Sequence, residues 1–154
     1  MNIVRRGDSM FGAACAPHVA SQNTMQEKLS APLLIIGSIA GGTGVALGAF
    51  GAHGLKNTLS PDMLIVFETA VRYQMYHAVA LIATGMLIRL SREFDPQTLR
   101  FAGWSFIAGI VFFSGSLYLL VLSGQHWLGA ITPLGGLAFI IGWILLGWTY
   151  IRKH

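Results

Sequence analysis

Ionisable side chains are scarce in this chain, since ten Lys and Arg and six Asp and Glu make up only 10% of its 154 residues. A soluble domain carries about 25% charged residues, so the chain lacks the charge that a water-exposed surface of this size requires. The scarcity disfavours a soluble enzyme, a disordered chain and a nucleic-acid-binding protein. It indicates an integral membrane protein.

Cysteine and acidic residues are also nearly missing. The single Cys15 excludes an internal disulfide, a CxxC redox pair and a cysteine zinc cluster. The only acids in or near the apolar runs are Asp62 and Glu68, so no Ser–His–Asp set can be assembled. We therefore predict that the protein is not an enzyme and holds no cofactor and no metal.

Apolar residues are abundant, with 54% hydrophobic side chains and 19 glycines. They form four runs that are each long enough for the roughly 20 helical residues a bilayer core requires, and none alternates with period two as barrel strands do. We predict an all-α integral membrane bundle of four transmembrane helices within residues 29–154, spanning about 32–52, 68–90, 100–123 and 129–151. Residues 1–28 are predicted to be a polar N-terminal extension, with disorder or a later start at Met25 as alternatives.

Helix starts are marked by prolines that follow a capping residue. Ser precedes Pro61, Asp precedes Pro96 and Thr precedes Pro133, and each pair is typical of a helix N-cap followed by a first-turn proline. The last pair lies inside the fourth run, so the fourth helix begins either near Leu128 or at Pro133.

The Lys and Arg distribution predicts the orientation in the membrane. Lys56 and Arg72 lie on one side. The other side holds both termini and eight basic residues, namely Arg5, Arg6, Lys28, Arg89, Arg92, Arg100, Arg152 and Lys153. The positive-inside rule then predicts that both termini lie on the cytoplasmic side of a bacterial inner membrane. The same rule explains the net charge of +4, so no nucleic-acid partner is predicted, and the lipid bilayer is the expected surroundings.

One face of the first predicted helix is lined with glycine, at Gly37, Gly41, Gly44 and Gly48. Spacings of four, three and four residues place them together, and small residues let helices approach closely in lipid. Packing inside one bundle is the favoured interpretation. The alternatives are an interface with a second copy or another membrane protein, or a substrate path.

Polar residues concentrate in one stretch that is predicted to lie near the outer membrane surface. Its candidate members are His53, Lys56, Glu68, Arg72, Tyr73, Gln74 and His77. Glu68 and Arg72 are four apart, so an ion pair is expected between them. His77 lies deeper and needs a partner in lipid, for which a backbone carbonyl, Ser114 and Ser116 are the candidates.

Two motif blocks in this stretch resemble the YgdD family of small bacterial inner-membrane proteins of unknown function. The first is the Gly-Ala-Phe-Gly-Ala-His-Gly run at residues 48–54, and the second is Phe-Glu-Thr-Ala-Val-Arg-Tyr-Gln-Met-Tyr-His-Ala at residues 67–78. The resemblance covers about residues 29–150 and implies a compact bundle of three or four transmembrane helices with no established activity. Its matching positions are Gly48, Gly51, His53, Gly54, Glu68, Tyr73, Gln74 and His77.

Two functions remain open. The favoured one is a non-enzymatic binding or structural membrane bundle, because a glycine face is present and no catalytic set is found. The alternative is a small transporter or a proton- or ion-handling protein that uses the polar residues of the second helix, since ionisable groups in a span are functional candidates. A weaker third option is a metal or haem protein that uses His53 and His77.

Overall fold

The computed structural model describes residues 9–152, with side chains described from residue 21 onward. Every element in this part of the chain is helical, which confirms the predicted all-α class. The elements are α1 (Ser9–Phe50), a π-helical segment (Gly51–Leu55), α2 (Pro61–Leu90), α3 (Pro96–Gly109), a second π-helical segment (Ile110–Ser114), α4 (Gly115–Ser123), a 3-10 helix (His126–Ala130) and α5 (Thr132–Ile151). No break separates α3, the second π segment and α4, so residues 96–123 form one helical rod.

Three helical stretches in the described part are long and apolar enough to cross a membrane. They are Ser21–Leu55, Pro96–Ser123 and His126–Ile151, and they overlap the first, third and fourth predicted spans. The second predicted span corresponds to α2 and does not meet this criterion, because polar residues crowd the first half of that helix. That α2 crosses the membrane as well, which would bring the number of spans to four, therefore stays a prediction.

The helix starts follow the cap chemistry expected at the first two prolines. The Ser60 side chain accepts a hydrogen bond from the backbone N–H of Met63 at 3.4 Å, and Asp95 accepts from the backbone N–H of Thr98 at 3.0 Å. Helix α5 begins at Thr132, one residue before Pro133, and the 3-10 helix precedes it. The fourth run therefore contains an α-helix that starts at the later of the two alternatives.

The N-terminal part of α1 packs on the end of the bundle. Residues 9–28, which belong to the predicted extension, are helical and continuous with the rest of α1. Gln26 donates to the carbonyl of Ser91 at 3.4 Å, and Arg92 donates to Asn23 at 2.8 Å, so this part of the helix is tied to the α2–α3 linker. Three of the basic residues behind the predicted orientation lie outside the described residues, namely Arg5, Arg6 and Lys153.

The glycine face of α1 packs mainly on α2. A Cβ on Gly37 would lie 2.8 Å from Cγ1 of Ile82, and one on Gly44 would lie 2.6 Å from Sδ of Met75. Gly48 lies against Val71 in the same way, whereas nothing lies within 4 Å of the corresponding point at Gly41. The glycines therefore let α1 and α2 approach closely within one chain.

The α3–α5 interface is closed by phenyl rings that occupy the space beside glycines on the facing helix. A Cβ on Gly142 would lie 2.5 Å from Phe106 Cε1. Gly109 meets the ring of Phe139 in the same way, whereas Gly135 lies against the backbone of Phe113 in the second π segment. Phe106 and Phe139 belong to a buried cluster near the α2–α3 linker, and a second buried cluster lies at the other end of the bundle, made of Leu55, Phe67, Leu120, Val121 and Leu128.

Candidate functional site

The predicted polar stretch does not form one site. All seven residues are described, and their side chains separate by direction and by burial. His53, Lys56, Glu68, Arg72 and Tyr73 are exposed, whereas Gln74 and His77 are buried. The cavity beside Glu68 and Arg72 is lined by none of the other five candidates.

Glu68 and Arg72 line a small cavity between α1 and α2. The cavity has a volume of about 300 Å³ and also borders Gly48 and Gly51. Although the two side chains face the same space, the described residues show no ion pair between them within 4.0 Å. Helical spacing predicted their shared face correctly but not a direct contact.

His77 is fully engaged by its neighbours. Its Nδ1 lies 2.8 Å from the carbonyl oxygen of Tyr73, and a carbonyl only accepts, so this nitrogen carries the proton. Its Nε2 accepts from the indole N–H of Trp143 at 3.2 Å, and its ring stacks on Phe139 with a centroid distance of 3.4 Å. A second proton at Nε2 would oppose the Trp143 N–H, so this geometry suits the neutral ring.

The serines expected as partners of His77 point elsewhere. Ser116 bonds to the Phe113 carbonyl at 3.0 Å and lies 2.9 Å from the hydroxyl of Thr132. Ser114 is completely buried, and its hydroxyl has no partner in the described part of the chain. Of the three expected partners, the backbone carbonyl is the one observed, and Trp143 was missed because no local spacing links α2 to α5.

Gln74 ties three helices together. Its amide nitrogen donates to the Ala40 carbonyl at 2.8 Å and to the Thr43 hydroxyl at 3.0 Å, both on α1. Its amide oxygen accepts from the Tyr118 hydroxyl of α4 at 3.0 Å. The Gln74 side chain is only 5% exposed, so the cost of burying an amide in an apolar interior is offset by these bonds.

This hydrogen-bonded group forms the floor of a groove between α1 and the rod of α3 and α4. The groove has a volume of about 700 Å³. Ile39, Val111 and Leu119 line it and each exposes more than half of its surface, so the groove is open on the outside of the bundle. Its lining residues are Ile36, Ile39, Ala40, Thr43, Leu47, Gln74, Ile110, Val111, Phe112, Gly115, Ser116, Tyr118, Leu119, Leu128 and Ile131.

The groove was not predicted from the sequence. Of its lining residues, Gln74, Ser116 and Leu128 were named for other roles, and most of the rest are apolar residues that are ordinary in a membrane span. The second π segment contributes Ile110, Val111 and Phe112 to one wall. Single π-helical turns occur often at functional sites, but this one has no signature in the residue pattern.

Metal binding gains no support from the placement of the histidines. His53 is exposed in the first π segment, whereas His77 is buried against α5. The part of the chain that the structure describes contains no group of three or more His, Cys, Asp or Glu side chains able to hold a metal ion.

Comparison with known proteins places the chain among membrane proteins. Residues 47–136 match the model of a family described as "Protein of unknown function (DUF423)". The chain is 48% identical over 113 residues to the UPF0382 membrane protein SAB0533 of Staphylococcus aureus (strain bovine RF122 / ET3-1), which covers 73% of this chain and 89% of that protein. It is also 48% identical over 113 residues to the UPF0382 membrane protein YwdK of Bacillus subtilis (strain 168), which covers 73% and 90%. No solved structure matches the chain.

Proposed function

Because the chain belongs to the DUF423 family, whose members have no assigned function, and its relatives are named membrane proteins, we propose a function from the site itself. The protein is a non-enzymatic bundle that binds an apolar molecule of the membrane in the groove between α1 and the α3–α4 rod. The groove carries this proposal, because its volume of about 700 Å³ falls within the roughly 300–1,000 Å³ that small-molecule sites occupy.

The groove also has the composition of a ligand site. Such sites are lined mostly by apolar and aromatic side chains with a few polar groups held in place. Here the aliphatic walls flank a floor whose polar atoms are fixed by the bonds from Gln74 to α1 and α4. A floor that is fixed in this way needs no rearrangement when a ligand arrives.

In this proposal α2 also crosses the membrane, as the second of four spans, and both termini lie in the cytoplasm. At 1.5 Å per residue, the helix from Pro61 to Leu90 is about 45 Å long, which exceeds a bilayer core of about 30 Å. Its three buried polar side chains, Gln74, His77 and Thr84, have hydrogen-bond partners within the bundle, as a residue in lipid requires. The YgdD name, the inner-membrane location and any partner protein or second copy also stay predictions.

A reporter fused after His154 tests the orientation. Cytoplasmic activity of the reporter is expected from the excess of Lys and Arg on that side. Activity on the opposite side of the membrane would overturn it.

The alternative of proton or ion handling is less well supported. Both ring nitrogens of His77 are occupied, and Glu68 lies with Arg72 in a separate, smaller cavity. These groups form no continuous path through the described part of the bundle.

Native mass spectrometry of the full chain, extracted from its own membrane in mild detergent, tests the groove. Gly115 lines the groove, and the nearest atom to a Cβ there is the Ile110 carbonyl oxygen at 3.9 Å. Gly115→Leu therefore fills the groove without a clash at its base. We expect the wild type to retain an apolar molecule of defined mass that Gly115→Leu loses.

Gly147→Leu is the matched control. Gly147 lies in α5 and outside the groove, and nothing lies within 4 Å of a Cβ there. This variant is expected to retain the molecule as the wild type does. Equal retention by all three proteins, or retention by none, would overturn the proposed function.

A further inference from the structure

We propose, on the basis of the function above, that the occupant of the groove is one hydrocarbon chain of a bilayer lipid. The chain lies lengthwise between α1 and the α3–α4 rod. It belongs to a lipid of the leaflet that adjoins the 3-10 helix His126–Ala130.

The first reason is that the groove offers no unused hydrogen-bond donor. Four polar side chains line it, and every one of their N–H and O–H groups already has an acceptor in the protein. Thr43 donates to the Ile39 carbonyl, Gln74 to Ala40 and Thr43, Ser116 to the Phe113 carbonyl, and Tyr118 to Gln74. A ligand with carbonyl groups along its length would leave them unpaired at a cost, whereas a hydrocarbon chain needs no partner.

The second reason is length. The lining of α1 runs from Ile36 to Leu47, which is about 16 Å at 1.5 Å per residue. One leaflet contributes about 15 Å, half of the roughly 30 Å hydrocarbon core. The groove is therefore about as long as one leaflet is thick.

The third reason is its position and access. One end of the groove is formed by Leu128 and Ile131, beside the exposed indole of Trp127, a residue type that is common where membrane meets water. The groove is open sideways along Val111 and Leu119. A lipid can thus insert one chain laterally while its headgroup stays at the surface by the 3-10 helix.

The test is electron paramagnetic resonance of the full chain in vesicles of one phosphatidylcholine. The probe is the same phosphatidylcholine carrying a nitroxide near the middle of one acyl chain. We expect wild type and Gly147→Leu to show a motionally restricted component larger, by a single lipid per chain, than that of Gly115→Leu. Val111→Trp, which blocks the exposed wall, is expected to show the same reduced component and provides the test if Gly115→Leu folds poorly.

The outcomes separate the two proposals. If the spectra of the wild type and both groove variants coincide while native mass spectrometry still finds a molecule that Gly115→Leu loses, the occupant is not a lipid chain and only the present inference is overturned. A bound molecule whose mass in native mass spectrometry is that of an isoprenoid or a polycyclic compound also overturns the present inference. If neither method distinguishes Gly115→Leu from the wild type, both proposals are overturned.

Discussion

The α3–α5 interface and the gap between α1 and the α3–α4 rod use the same residue types with opposite results. Where the rod meets α5, a phenyl ring fills the space beside Gly109 and Gly142, and the backbone of Phe113 fills the space beside Gly135. Beside Gly115 the space stays open, since the nearest atom to a Cβ is 3.9 Å away. Lipid chains are as apolar as leucine, so the hydrophobic effect does not drive a membrane bundle to close such a gap.

The largest effect is expected from a substitution at Gly135, where α5 lies against Phe113. A Cβ there would overlap the backbone nitrogen and Cα of Phe113, which cannot move as a flexible side chain does. Gly135→Leu is therefore expected to separate α3 from α5 and to abolish the yield of monodisperse protein, since even tolerated overpacking costs about 1–3 kcal/mol.

The neighbouring residue provides the control for this change. A Cβ on Gly136 would lie 3.8 Å from Phe113 Cδ2, an ordinary contact. Gly136→Leu should give a near-normal yield in size-exclusion chromatography. Equal yields of the two variants would show that the Phe113 contact does not close this interface.

A smaller effect is expected when the hydrogen bonds at the floor of the groove are removed. Gln74→Leu removes three hydrogen bonds that join α2 to α1 and α4. At about 0.6 kcal/mol for an average side-chain bond between membrane helices, the loss is about 2 kcal/mol.

Reversible unfolding in bicelles measures this loss. Tyr118→Phe removes one of the three bonds and is expected to cost about 0.6 kcal/mol. A Gln74→Leu protein as stable as Tyr118→Phe would mean that the bonds to α1 contribute nothing.

Asp95, at the start of α3, gives a pH-dependent effect of about 1 kcal/mol, the usual worth of an N-cap. Hydrogen bonds from the Thr98 hydroxyl and from the backbone N–H groups of Thr98 and Gln97 hold the pKa of Asp95 below its ordinary value. A carboxyl with a lowered folded-state pKa stabilises the protein above its unfolded value of about 3.9, and this contribution is lost as the pH falls toward the folded value.

Thermal unfolding of Asp95→Ala and of the wild type, compared at pH 7 and at pH 3, tests whether the stabilisation by Asp95 is greater at the higher pH. The difference in stability should be largest at pH 7 and should narrow at pH 3. Asp95→Asn keeps a capping side chain, so its stability at pH 7 should lie between those of Asp95→Ala and the wild type. A difference that grows on acidification would contradict the assignment.

The smallest effect is expected at His53, although it belongs to the most distinctive motif of the sequence. His53 is exposed, and exposed substitutions usually change stability by less than about 0.5 kcal/mol. His53→Ala should leave both the unfolding temperature and the molecule retained in native mass spectrometry unchanged. Loss of that molecule would extend the binding site beyond the groove to the first π segment.

Local patterns in the sequence predicted the apolar helices and the starts of α2 and α3. The Ser60 and Asp95 caps formed as expected because a cap needs only the first turn of its own helix. The close approach of α1 was also readable, because the spacing of Gly37 and Gly44 places both on one face.

The relations between helices could not be read in the same way. Gln74 and His77 are three residues apart and so lie on one side of α2, but this spacing did not say that one meets α1 and α4 while the other meets α5. The groove is harder still to predict, because it arises where α1 and residues 110–119 of the rod stand apart, although Leu33 of α1 packs against Gly103 of α3.

A structure of the full chain in a lipid nanodisc tests the groove most directly. We expect a continuous tube of density between Ile39 and Leu119, with α1 held away from residues 110–119 of the rod and the bonds of Gln74 intact beneath it. If instead α1 rests on the rod, with Ile39 packed against Leu119 and no space between them, the groove does not exist in lipid and the proposed binding function is contradicted.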